Sequence, residues 1–248
     1  MSERILVISD IHGNMPALEQ VIAHAGTVDQ IWCLGDIVGY GPYPNECIEF
    51  IRQFNPTISI MGNHDAASVG SLSLSAFNHD ARLSSQWTTS VLSHENLEYI
   101  KSLPQQAVVD HSTLVHGTPS NPLWEYMLDV YTAHKSFSLL KTPVCFVGHT
   151  HIPGIFHLNQ ASLSVYWVPP DSKSPIVISA NKQMIINPGS VGQPRDHDNR
   201  ASYGILLIEN ENSLWQNFRV PYDYFSVQNE IYQKGLPRNH ADRLSDGW

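Results

Sequence analysis

The 248-residue chain predicts an α/β fold that starts with a largely parallel sheet and ends with an antiparallel one. Three observations carry this expectation. Between Arg4 and Met61, three apolar runs end in polar, glycine-bearing loops and alternate with two stretches of helical periodicity, the pattern of parallel strands joined by crossover helices. Beyond Ile155 the texture changes to short alternating strands separated by Asn-containing turns, which suits an antiparallel sheet. No internal repeat or low-complexity linker divides the chain, so residues 1–248 are expected to form one domain with a substantial core.

The elements follow in order. Residues 4–9, RILVIS, form an apolar run of the kind buried on both faces of a sheet, ending at Asp10. After DIHGN a helix is expected over 15–25, with Asn14 as its N-cap and Pro16 tolerated in the first turn. The pattern repeats as a strand over 30–34 ending in Gly35 and Asp36, a loop IVGYGPYP, and a helix over 45–54. The third run, TISIM at 57–61, stops at Gly62 and releases Asn63, His64 and Asp65 in succession. Residues 66–78 are small and polar and read as a loop that covers a site. Helices are expected over 80–92 and 93–102, the second capped by Ser93 and stopped before Pro104. Residues 107–109 and 113–115 read as paired strands ending in His116-Gly117, followed by a helix over 130–140 and a short strand over 144–147 that ends in GHTH. The second half then predicts strands over 155–158, 162–168, 183–186, 202–209 and 214–220, with turns at Asn159-Gln160 and at 210–212. A last helix over 222–234 is closed by Gly235 and Pro237.

Composition narrows the function classes. A formal charge of −9 without any Lys/Arg run argues against a surface for duplex nucleic acid, which needs a basic stripe to neutralise phosphates. Charged residues are 15%, below the usual ~25%, yet 13 histidines stand against 14 Lys plus Arg. That ratio invites a metal. Cys33, Cys47 and Cys145 sit in apolar or helical runs without a CxxC spacing and read as buried thiols of a reducing compartment. No apolar run reaches the ~18 residues of a membrane span and no signal peptide is recognisable, so a soluble cytoplasmic protein is expected.

Five polar clusters follow apolar strands, usually beside a glycine: Asp10 and His12; Asp36; Asn63 and His64; His116; His149 and His151. Any one of them is ordinary turn or cap chemistry. Gathered at one sheet edge, they would concentrate carboxylate, amide and imidazole donors that are electrostatically sensible only around cations. Mixed nitrogen and oxygen donors without thiolate favour Mn, Fe, Co, Ni or Zn over Ca or Mg. Setting His64 aside as a proton carrier, seven donors exceed one open catalytic metal and suit two, about 3.5–4 Å apart and bridged by a carboxylate. Asp65 is placed to orient the His64 imidazole.

The ordered set DIHGN, GDIVGYG, GNHD, VHG and GHTH resembles the signature of calcineurin-like metallophosphoesterases. INPGSVGQPRD and the terminal YFSVQNEIYQKGLP are similar to the bacterial and archaeal branch that includes small phosphodiesterases and diadenosine tetraphosphate hydrolases. The resemblance implies a four-layer α-β-β-α sandwich of two mixed sheets. It implies Asp10, His12 and His151 on one metal, Asn63, His116 and His149 on the other, and Asp36 bridging both. It further implies His64 as the proton donor to the leaving oxygen, supported by Asp65. A phosphoprotein phosphatase pattern, GDxVDRG, is replaced here by GDIVGYG. The expected activity is therefore a dinuclear metal-dependent hydrolysis of small phosphoesters or phosphoanhydrides, with a dinucleoside polyphosphate the leading substrate. A cyclic-nucleotide or general phosphodiesterase is the alternative, and a binding scaffold that keeps the fold is the non-enzymatic one. Asn14, Tyr40 and Arg195 are the expected substrate contacts, Tyr40 by stacking on a base and Arg195 by clamping a distal phosphate. Metals, oligomeric state and membrane partners follow the same reading: two divalent transition metals, a homo-oligomer left open, and no membrane.

Overall fold

The computed structural model describes residues 2–179, 182–209 and 212–248. Its first sheet contains β1 (Ser2–Ile8), β2 (Gln30–Cys33), β3 (Thr57–Ser59), β9 (Ile176–Ile178), β11 (Ala201–Glu209) and β12 (Asn212–Val220), in the order β3-β2-β1-β11-β12-β9. The second contains β4 (Gln106–Val109), β5 (Ser112–Val115), β6 (Val144–Phe146), β7 (Gly154–Asn159), β8 (Ser164–Val168) and β10 (Gln183–Asn187), in the order β4-β5-β6-β10-β7-β8. Helices α1 (Met15–Ala25), α2 (Pro44–Gln53), α3 (Asn63–Ser68), α4 (His79–Val91), α5 (His94–Ser102), α6 (Val130–Phe137), α7 (Tyr224–Gln233) and α8 (Arg238–Asp246) complete the chain.

Alternation along β1 shows how the layers form. Ile5 and Val7 face the second sheet and pack with Trp32, Phe146, Ile186 and Trp215, whereas Leu6 and Ile8 face α1, α2, α7 and α8 through residues such as Leu18, Ile48, Ile231 and Leu244. The outer face of the second sheet, with Cys145, Phe156 and Ile185, is covered by Ala133 and Phe137 of α6. Both faces of each central strand are thus apolar, as their uninterrupted hydrophobic runs require. The result is the expected α-β-β-α sandwich.

The division into a parallel first half and an antiparallel second half does not hold. β1, β2 and β3 are parallel, but β11 pairs antiparallel with β1 from Ser2↔Glu209 to Val7↔Gly204, so the C-terminal strands complete the first sheet. In the second sheet β5, β6 and β10 are parallel and the other neighbours antiparallel. Both sheets are therefore mixed. Three further elements depart from the sequence reading: Asn63–Ser68 is a short helix, Ile176–Ile178 is an edge strand, and α8 continues the chain beyond Pro237. The turn expected at 210–212 lies partly outside the described residues.

Candidate metal centre

The carboxyl ends of the parallel strands deliver the clustered polar residues. Asp10 follows β1, Asp36 follows β2, Asn63 and His64 open α3 after β3, His116 follows β5, and His149 and His151 follow β6. All of them are buried, none more than 4 % exposed. The backbone is strained to bring them together: five of the seven expected ligands, Asp10, His12, Asp36, His149 and His151, have positive φ values between 50° and 64°. Non-glycine residues seldom adopt that region, and concentrations of it mark functional sites. Gly62 is needed for a different reason, since a Cβ there would lie 2.1 Å from Asp36 Oδ1. At Gly148 a Cβ would meet Ser9 Oγ at 2.0 Å, so the ends of β1 and β6 can approach only over a glycine.

The donors form two groups, Asp10 with His12 and His151, and Asp36 with His116 and His149, each with ligand atoms within 4.8 Å of one another. Asp36 Oδ2 stands 3.3 Å from His116 Nε2 and 3.7 Å from His12 Nε2, so it faces both groups. Asn63 Oδ1 lies 3.2 Å from His116 Nε2 and completes the second group. The structure brings the seven residues together, with Asp36 between the two groups.

Hydrogen bonds fix which atoms point inward. His12, His116 and His151 donate their Nδ1 protons to the carbonyls of Val38 (3.1 Å), Leu34 (2.8 Å) and Gln193 (2.6 Å), leaving each Nε2 aimed at the centre. Asp36 Oδ1 accepts from the His64 amide at 2.8 Å and Asp10 Oδ2 from the His149 amide at 3.1 Å. The opposite oxygens, Asp10 Oδ1 and Asp36 Oδ2, and His149 Nε2 are buried without a partner. His12 Nε2 and His151 Nε2 are 3.1 Å apart. Two carbonyl-anchored imidazoles present lone pairs to each other at that distance, which is favourable only around a cation. The residues therefore fit two divalent metals.

Electrostatics agree. Burial opposes charge on Asp10, but the imidazoles of His151 and His116 outweigh it and hold the carboxylate well below its ordinary pKa. Asp36 is lowered the same way, by His116 and His64 against burial. Burial drives His149 down to about 3, so it is a neutral ligand, whereas at His116 the Asp36 charge overcomes burial and lifts the pKa to about 9. A cation bound beside His116 would take the place of that proton.

His64 lies against the centre without joining it. Its ring packs edge-on to His12 at 5.1 Å and on Phe77 at 5.0 Å, burial pulls its pKa to about 4, and its Nδ1 has no partner. Asp65 does not orient this ring, contrary to expectation. Its two oxygens accept from the backbone amides of Val38 (3.1 Å) and Gly62 (3.0 Å), so it braces the loops that carry Asp36 and Asn63. Burial and the Asp36 charge push its own pKa up.

The three expected substrate contacts are placed differently from one another. Asn14 is the N-cap of α1, accepting from the Ala17 amide at 3.2 Å and donating to the Gly192 carbonyl at 2.8 Å, so it supports the site from behind. Tyr40 is not an exposed stacking platform: it is 8 % exposed, and its ring is packed by His12 at 4.5 Å, His64 at 4.3 Å and His240 at 4.5 Å. Arg195 holds its guanidinium 5.9 Å from the Tyr40 ring centre, with Nη2 donating to Gln193 at 3.0 Å and Nε unpartnered. The INPGS stretch acts structurally, since Asn187 Nδ2 donates to Gly148 O at 2.8 Å and Ser190 Oγ to Asp10 O at 2.7 Å.

Sequence reasoning missed an aromatic wall. Tyr126 stacks on His149 at 4.0 Å and 11°, Trp124 lies 6.3 Å from the same His149 ring, and Phe77 joins Trp124 to His64. The segment PLWEYM after VHG carried the signal, an aromatic pair in a loop flanking a ligand.

Over its whole length the chain is 44% identical to the crystal structure of a metallophosphoesterase from Sphaerobacter thermophilus, with a TM-score of 0.88 and complete coverage of both chains. It shares the fold of a hypothetical protein from Pyrococcus horikoshii (TM-score 0.78, 20% identity, 99% and 98% covered). It is 38% identical to an uncharacterized protein from Methanocaldococcus jannaschii across 97% of this chain and 96% of that one. A more distant similarity, 28% over 145 residues, links it to the symmetrical bis(5'-nucleosyl)-tetraphosphatase of Vibrio cholerae, covering 55% of this chain and 52% of that protein. The model of the calcineurin-like phosphoesterase superfamily domain matches residues 4–211. With its fold, its two metal-ligand groups and that match in agreement, the chain belongs to the calcineurin-like phosphoesterase superfamily and is a metal-dependent phosphoester hydrolase.

Proposed function

We propose that this hydrolase cleaves small nucleotide phosphoesters or phosphoanhydrides, with a dinucleoside polyphosphate as the leading substrate. The observation that carries the reading is Arg195. Its guanidinium sits beside Tyr40 at the rim of the ligand cluster, pairs with no carboxylate among the described residues, and keeps a buried Nε free. A cation left unpaired next to a phosphoester centre suits a second phosphate beyond the scissile one. The similarity to a symmetrical bis(5'-nucleosyl)-tetraphosphatase supports the same class. So does the acidic chain, whose net charge of −9 disfavours long nucleic acids.

Asp10, His12, Asp36 and His151 would hold one divalent ion and Asp36, Asn63, His116 and His149 the other, drawn from Mn, Fe, Co, Ni or Zn. Bound there, the two ions supply Lewis acidity toward the phosphate oxygens and the attacking water. The chain's own residues do the rest. Carbonyls of Val38, Leu34 and Gln193 keep three imidazoles in one tautomer and one orientation. His64, neutral at its lowered pKa, donates a hydrogen bond to the departing oxygen, and the packing of Tyr40 and Phe77 fixes its ring. Asp65 holds the loops of Asp36 and Asn63 in register. The three cysteines are free and buried, which accords with a reducing, cytoplasmic setting, and no helix among the described residues is long and apolar enough to cross a membrane.

The test is a screen of Mn-loaded protein against a dinucleoside tetraphosphate, a cyclic nucleotide and an aryl phosphate diester. The dinucleotide should give the highest kcat/KM, and Arg195→Ala should raise its KM by about tenfold, a loss of roughly 1.4 kcal/mol, with little change for the aryl diester. A preference for the cyclic nucleotide or equal losses on both substrates would contradict the reading.

A further inference from the structure

A cleft of about 520 Å³ opens beside the metal centre, between α8 and the first turn of α4. Tyr40 lines this cleft and also touches the metal centre, its ring packed by His12 at 4.5 Å, His64 at 4.3 Å and His240 of α8 at 4.5 Å. His240 is 3 % exposed, and neither ring nitrogen has a well-formed hydrogen-bond partner. Buried polar atoms of this kind call for a reason. Burial pulls the imidazole down to about pKa 4, so it enters the cleft neutral, able to donate from one nitrogen and accept at the other.

One turn along α8, Arg243 also lines the cleft, half-buried and without a carboxylate within 4.0 Å among the described residues. Burial and the nearby Arg195 both disfavour its charge, so two guanidiniums repel each other near Tyr40. Arg243 is the one guanidinium in the cleft lining, Arg195 stands near it beside Tyr40, and Asp80 is the carboxylate that acts on Arg243 from α4. The rest of the lining has the opposite character. Asp80, Asp242 and Asp246 contribute to it, together with Trp248, whose indole is 59% exposed and lies parallel to His197 at 5.0 Å. A simple anion would be opposed by those carboxylates. A nucleotide matches both parts, because its phosphates are anionic while its ribose hydroxyls and exocyclic amine donate hydrogen bonds and its base has a face to stack.

We propose that this cleft binds the second nucleotide half of the substrate, its phosphates against Arg243 and Arg195 and its nucleoside against Trp248 and the carboxylates of Asp80 and Asp246. This rests on the nucleotide reading of the metal centre. The scissile phosphate would lie at the ligand cluster of Asp10, Asp36 and their histidines, with Tyr40 between it and the half that the cleft retains.

Metal-replete wild type, Arg243→Ala and Trp248→Ala are compared in two measurements, with thermal melting to verify that each variant folds. In the first, KM for a dinucleoside tetraphosphate should rise by about tenfold in both variants, while kcat/KM for an aryl phosphate diester, too short to reach the cleft, stays at the wild-type value. In the second, equilibrium titration with ADP should show Kd raised by a similar factor, a quantity read without any turnover. If the wild type leaves the dinucleotide intact while the ADP Kd still shifts in the variants, the substrate reading falls and the cleft stands. If the ADP Kd and the dinucleotide KM are unchanged in Trp248→Ala and in folded Arg243→Ala, the cleft proposal is overturned and the substrate reading stands.

Discussion

The interior between the two sheets and the carboxyl ends of the same strands are built on opposite terms. In the interior, Trp32 meets Phe146 edge-on at 5.6 Å and Phe146 meets Trp215 at 5.3 Å, all three at most 1 % exposed. Among the described residues this cluster is built from apolar side chains. Beyond the strand ends, Asp10, His12, Asp36, His149 and His151 hold positive φ, as does Tyr40, and two carboxylate oxygens and two imidazole nitrogens, His64 Nδ1 and His149 Nε2, are buried without partners. Such strain persists only where the surrounding structure over-determines it. The apolar sandwich supplies that support, and the strand ends use it to hold a cluster that is unfavourable until cations complete it. Stability and chemistry are therefore carried by adjacent segments of the same strands, and substitutions should separate them.

The largest separation is expected at His64. His64→Ala should retain both metals and its melting temperature while kcat on a substrate with a poor leaving group falls by about 10² to 10⁴-fold. The loss should shrink on an activated aryl ester, and unchanged turnover on the poor leaving group would remove His64 from stabilising the departing oxygen. Next is Trp215, fully enclosed between the sheets. Trp215→Ala should cost about 3–5 kcal/mol of unfolding free energy, measured by denaturant titration, with metal stoichiometry in the folded fraction unaltered. A parallel loss of metal would show that the two regions are not separable. The smallest effect is expected at Asn14, whose cap and Gly192 bond tie α1 to the loop behind the centre. Asn14→Ala should cost about 1 kcal/mol and leave KM for every substrate near the wild-type value. A selective rise in KM for the dinucleotide would instead restore Asn14 as a substrate contact.

The contrast also explains what the sequence could reveal. Each ligand follows its own apolar run within a few residues, as in ILVISDIH or VCFVGHTH, so the centre was legible from local patterns repeated five times. Features that depend on distant pairing were not. Nothing in residues 201–220 states that β11 will pair with β1 rather than with its neighbours in the second half, because antiparallel edges of equal hydrophobicity are interchangeable in sequence. Helix α8 was missed since RNHADRLSD is mostly polar and buries only His240, Ala241 and Leu244. Helix α3 was hidden by its function: NHDAAS begins with residues that favour turns, and Asp65 stabilises the helix start only through the Gly62 amide. Tyr40 stood in a glycine-rich loop that suggested exposure, whereas three histidines from separate elements enclose it.

Asp36 stands between the two ligand groups, and metal content with anomalous diffraction reads whether it joins two ions. Wild-type protein purified without chelator and soaked in Mn should hold two adjacent ions on opposite sides of Asp36, one against His12 and His151 and the other against His116 and His149. Asp36→Asn removes the shared charge and should weaken both sites together. A single ion in the wild type, or full retention of both ions by Asp36→Asn, would contradict a centre organised around Asp36.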